Sequence, residues 1–124
     1  MAERRPLVLV TGGVQELASG DVARVPAVTE TVFTITDGAS VDLNPANGGI
    51  QLWTLGASRS PTATYFAAGQ SLLLKINDGT AHAITWPTMT WVGGTAPTLD
   101  TTKLTCVELW KTGTTLWGAL VGTA

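Results

Sequence analysis

The chain holds one cysteine and one histidine in 124 residues. A lone Cys106 cannot close an intrachain disulfide, which excludes the disulfide-scaffold class. It lies in the apolar run Leu104-Thr105-Cys106-Val107, where a free cysteine behaves as a small buried hydrophobe. One Cys and one His also fall short of the four protein ligands of a structural zinc site. Charge is scarce too. Seven basic and nine acidic residues make up 13% of the chain and leave a net charge of −2. A sequence-independent nucleic-acid binder needs several Lys or Arg on one face. Here the basic residues are spread from Arg4 to Lys111, and only Arg4 and Arg5 are adjacent. Long apolar runs are missing. The first, Leu7–Val10, stops at Thr11-Gly12-Gly13, too short for a secretory signal core. No window approaches the roughly 18 apolar residues of a membrane-spanning helix. These absences predict a chain made in the cytoplasm that binds neither nucleic acid nor membrane.

What the chain has instead is threonine, 21 residues of it, and 14 glycines. Threonine suits strands and glycine suits turns. A protein of long helices would carry Glu, Lys, Arg and Ala on its surface. Low charge gives little protection against self-association, which a subunit of an assembly tolerates because its adhesive surfaces are occupied.

Along the chain, residues 1–30 read as an N-terminal arm and linker. Leu7–Val10 and Val14–Leu17 flank Gly12-Gly13 and suit a short hairpin. Residues 22–30 show no period, and Pro26 disfavours helix at Val25, so this piece reads as extended linker. Residues 31–124 read as the body. Phe33 and Ile35 alternate with threonines, Val41 and Leu43 resume the alternation, and 50–55 continues it. Leu72, Leu74 and Ile76 share a face of the run 71–77. Asn77-Asp78-Gly79-Thr80 then reads as a hairpin turn, with 82–86 as the return strand. Residues 104–110 and 115–121 flank the turn at Gly113. No stretch holds a helical period for ten residues. Seven or eight strands at this spacing predict an all-β fold, an antiparallel β-sandwich of jelly-roll type with a short N-terminal β arm. In 104–110, Val107 and Leu109 point one way while Cys106 and Trp110 point the other. Such a strand is central, or its outer face meets another subunit.

Catalytic constellations do not emerge. His82 lies near Asp78 in sequence, but an Asp is what an Asp-Gly turn wants in any case. Asp21, Asp37, Asp78 and Asp100 all border turns. Glu108 alone sits in an apolar strand, where Lys111 or Lys103 could pair with it, and no second acid faces it as glycoside hydrolysis requires. The glycine pairs match no phosphate-binding loop, and the calcium-loop pattern is absent. No enzyme activity and no cofactor or metal are expected.

The five tryptophans stand against two Phe and one Tyr. Tryptophan is enriched in interfaces, where Lys and Glu are depleted. The favoured reading places Trp110 and Trp117 in a core or an intersubunit seam. The competing reading is a stacking platform for a glycan, for which Trp91 is the best candidate because it precedes the Gly93-Gly94 loop.

The C-terminal half carries a resemblance. Trp86-Pro87, Trp91-Val92-Gly93-Gly94, Pro97, Glu108-Leu109-Trp110-Lys111 and Gly113 lie in order within residues 84–122. This pattern resembles a module that recurs in structural proteins of tailed bacteriophages, and residues 67–84 are similar to the same module. Residues 7–21 resemble the N-terminal segments of tail-fibre-like and virion surface proteins. The resemblance implies a β-sandwich virion protein with no catalytic residues. The long repetitive shaft of a tail fibre is absent from this sequence. The expectation is therefore a capsid decoration or cement subunit, or alternatively a tail adaptor or fibre-associated receptor- or glycan-binding module. Its implied partners are the major capsid protein or tail proteins, and further copies of itself, as a trimer.

Overall fold

The computed structural model describes every residue except 1–6, 11, 17, 21, 23, 25 and 79–81. Among the described residues, eight strands and one short 3-10 turn make up the regular structure. Strand β1 (Leu7–Val10) pairs antiparallel with β2 (Gly13–Glu16) as the expected N-terminal hairpin. The other six strands form one sheet: β3 (Val32–Thr34), β4 (Ile50–Thr54), β5 (Ser71–Asn77), β6 (Thr90–Trp91), β7 (Thr105–Thr112) and β8 (Thr115–Thr123), in the order β3-β4-β5-β7-β8-β6. Strands β3, β4 and β5 run parallel to one another. Strand β5 is antiparallel to β7, β7 is antiparallel to β8, and β6 lies parallel to β8.

This is not the antiparallel sandwich that the alternation predicts. The body is a single mixed sheet of six strands, and the one other sheet among the described residues is the two-stranded N-terminal hairpin. Period-two alternation reports that one face of a strand is buried, but not what buries it. Here the cover is irregular chain. Parallel neighbours need a crossover of a dozen residues or more. The crossovers 35–49 and 55–70 lie on one face and supply Ile35, Val41, Leu43, Leu55 and Phe66 to the core. The sheet contributes Trp53, Leu72, Leu74, Ile76, Val107, Leu109 and Leu116. Trp86, Met89, Trp91 and Leu99, from the chain between β5 and β7, pack against the same cluster.

The return strand over 82–86 is also absent. Strand β5 already has β4 on one side and β7 on the other, so its ladder is full. Of residues 82–86, Ile84 alone bridges, to Arg59. Residues Gly79 and Thr80 of the expected turn lie outside the described residues. The turn at Gly113 is present and joins β7 to β8, with Thr112 opposite Thr115. Gly113 has φ 55°, which a side chain rarely adopts, so glycine closes this hairpin cheaply.

Polar groups tie the crossovers to the sheet. Asp37 accepts from Trp53 Nε1–H at 2.8 Å and from the Gly56 backbone N–H at 3.0 Å, and it forms an ion pair with Arg59. The Arg59 hydrogen bond, above all, holds its carboxyl well below the usual carboxylate range. Gln51, fully buried on β4, donates from Nε2 to the carbonyls of Asn44 and Gly48 and so fixes the 3-10 turn Pro45–Asn47.

Candidate functional site

Residue register assigns each side chain to one of two faces. The core face carries Gln51 and Trp53, then Leu72, Leu74 and Ile76, then Thr105, Val107 and Leu109, all buried. The opposite face carries Val32, Ile50, Leu52, Leu73, Lys75, Cys106, Glu108, Trp110, Trp117 and Ala119. Ladder neighbours align Ile50 with Leu73, Leu73 with Glu108, and Glu108 with Ala119. They also align Leu52 with Lys75 and Lys75 with Cys106. None of these side chains belongs to the core cluster or packs against it. Val32 is exposed and the rest are half-buried. The result is an apolar face, several strands wide, on a sheet whose other face is already filled.

At one end of this face Trp110 and Trp117 stand directly opposite each other across β7 and β8. Their rings stack with centroids 6.5 Å apart and planes 9° from parallel. Trp117 Nε1–H donates to Thr112 Oγ1 at 3.0 Å. At the other end Leu52, Thr54, Lys75, Asn77 and Leu104 border a shallow recess of about 190 Å³. Two charges lie among the apolar groups. Burial, and secondarily the Glu30 carboxylate, push the Glu108 carboxyl up from its ordinary value. Its expected partner Lys111 is engaged elsewhere, donating from Nζ to the Phe66 carbonyl at 2.9 Å. The one ion pair among the described residues is Asp37–Arg59, so neither Glu108 nor Lys75 has an ion-pair partner among them.

The three tryptophans singled out from the sequence therefore separate. Trp110 and Trp117 share the open face. Trp91 sits on β6, on the core side. A Cβ at Gly118 would come within 2.7 Å of the Trp91 ring and 2.6 Å of the Met89 methyl, so Gly118 makes room for both. Trp91 also meets Trp86 edge to face at 5.1 Å. The open face extends beyond the tryptophans to Ile50, Leu52, Leu73 and Lys75; the alternation of 71–77 already sets Leu73 and Lys75 on the face opposite Leu72, but none of the four stood out as a site residue. Their signal was present: Ile50 and Leu52 are apolar in one phase while Trp53 and Leu55 are apolar in the other, and Leu73 breaks the alternation of 71–77.

A second feature is a recess of about 380 Å³ lined by Asp78, His82, Ile84, Trp86, Leu99 and Thr101, among others. Asp78 is 3% exposed and accepts from the His82 backbone N–H at 2.7 Å through Oδ1. Its Oδ2 has no hydrogen-bond partner among the described residues. His82 thus lies beside the carboxylate in a loop, not in a strand. Among the described residues, no three His, Cys, Asp or Glu side chains come together as metal ligands would. No protein-family model, curated protein or solved structure matches the chain.

Proposed function

We propose that the chain is a non-catalytic structural subunit that works by binding protein through the open face of its sheet. The setting we propose is the virion of a tailed bacteriophage, where it would serve as a capsid decoration or cement subunit. The observation that carries the first part is the open face itself. Parallel strands are normally covered on both sides. Three strands of this sheet are mutually parallel, yet one side shows solvent a run of Leu, Ile, Cys and Trp side chains. Burying each large apolar side chain is worth about 1.5–3 kcal/mol, so a protein partner on this face gains by covering it. The residue pattern over 84–122 supports the virion setting. In that setting the N-terminal hairpin would reach a neighbouring major capsid or tail protein by strand addition, since short paired strands are marginal alone.

Immunogold electron microscopy of particles from cells that make the chain tests this reading. Label on the shell supports a decoration subunit. Particles that lack the chain altogether refute the virion setting.

A tail adaptor or fibre-associated glycan-binding module is the second reading. The recess with the Trp86 wall and the unpartnered Asp78 oxygen favours it, because sugars take a flat apolar surface beside a hydroxyl acceptor. Label on the tail, together with saccharide binding that Trp86→Ala abolishes, would put this reading first.

A further inference from the structure

We infer that the open face of the sheet is covered by the same face of further copies of this chain, with Lys75 of one copy set against Glu108 of the next. This rests on the assembly reading of the same surface and names its occupant.

The argument is one of self-complementarity. On adjacent strands β5 and β7 the patch carries one cation, Lys75, and one acid, Glu108, with the exposed Glu30 carboxylate near Glu108 at its rim. Register sets Leu73 opposite Glu108 and Cys106 opposite Lys75, so the two charges are diagonal neighbours on one face. Neither has an ion-pair partner among the described residues. Covering the face with a purely apolar partner would strand both charges in a dry interface, which is costly. Covering it with the face of another copy brings an acid to each base and a base to each acid. The apolar groups match in the same way: Leu52, Leu73 and the Trp110–Trp117 stack meet side chains of the same kind. A closed ring or pair of identical subunits then leaves no copy of the face open.

Sedimentation of the purified full chain tests the inference, with unfolding measured on each variant. The wild type is expected to sediment as a closed oligomer, at two or more times the mass of the chain. Lys75→Glu leaves only acids at this part of the face, and Glu108→Lys places two bases on β5 and β7. Each is expected to weaken self-association by at least about tenfold, a typical effect for a close interfacial charge pair. The double variant K75E/E108K restores opposite charges and is expected to recover the oligomer. Cys106, on the same face, reports independently: its alkylation should be slow in the wild type and fast in either single variant, while all three variants keep cooperative unfolding. A wild type that stays monomeric at high micromolar concentration overturns the inference. So do single variants that unfold cooperatively and still associate as the wild type does, or a double variant that fails to recover. A monomer that nevertheless coats particles would sink this inference and leave the assembly reading standing. An oligomer absent from every particle would do the reverse.

Discussion

At the scale of single residues, the tryptophans divide into those that hold the fold and those that wait at its surface. Trp53 is 1% exposed and anchors Asp37 through its ring N–H. Trp53→Ala removes a full core side chain and takes one donor from the half-buried Asp37 carboxylate. A loss of about 3–5 kcal/mol in urea unfolding is expected. Trp110→Ala should behave differently. It removes one ring of a half-buried cross-strand stack, for which about 0.5–1.5 kcal/mol beyond area burial is typical. Its larger effect should fall on self-association. Equal losses of folding stability for the two variants would show that the outer face is as closed as the core. Gly118→Leu should also destabilise, because its side chain would meet the Trp91 ring and Met89. A variant as stable as the wild type in thermal unfolding would mean that Trp91 does not seat on β8.

At the scale of elements, the hairpin of β7 and β8 forms where the sequence places it, around Gly113. Its two runs are long, rich in apolar residues and flank a single glycine. Gly113→Ala should cost about 1 kcal/mol because the position has positive φ, and Gly113→Asn should recover part of that loss. Thermal unfolding of both variants would check it, and an Ala variant equal to wild type would exclude a left-handed requirement. The N-terminal hairpin was legible for the same reason, short β runs around Gly12-Gly13. The sheet order was not. Alternation in 50–55 and 71–77 identifies strands, but β4 and β5 pair in parallel, and parallel pairing depends on crossovers that carry no local signature. The Asp-Gly at 78–79 looked like a hairpin turn by its dipeptide alone, whereas β7, some thirty residues further on, takes the place beside β5. The open face was half legible. Apolar residues in both phases of 104–110 revealed it on β7. Its continuation through Leu73, Leu52 and Ile50 became visible only once register placed those residues side by side.

At the scale of the whole molecule, folding and assembly should respond to pH in opposite directions through one carboxyl. In the free chain, burial and the Glu30 carboxylate raise the Glu108 value above that of an unfolded chain. The folded state then binds the proton more tightly. The stability this contributes is complete below the unfolded glutamate value of about 4.3 and is lost as pH rises through the folded value. Asp37 works the other way. Its value is held far below the unfolded one by Arg59, so its contribution is present above about pH 4 and lost on acidification. Glu108→Gln should therefore stabilise the monomer near neutral pH, while Asp37→Asn should destabilise it there and flatten the acid limb of its stability profile. Assembly adds a further charge. With a neighbour's Lys75 against Glu108, the ionised form becomes the favoured one, and Glu30 and the chain's own Lys75 are the other charged groups at that part of the face. Acidification that protonates Glu108 should then loosen the oligomer even as it relieves the monomer. Sedimentation from about pH 7 down to about pH 4.5 would read the first effect, and urea unfolding of the dissociated Lys75→Glu variant the second. In Glu108→Gln both responses should shrink together. If acid instead tightens the oligomer, and Glu108→Gln tightens it at neutral pH, then the carboxylate faces another acid across the interface and the copies meet in a different register.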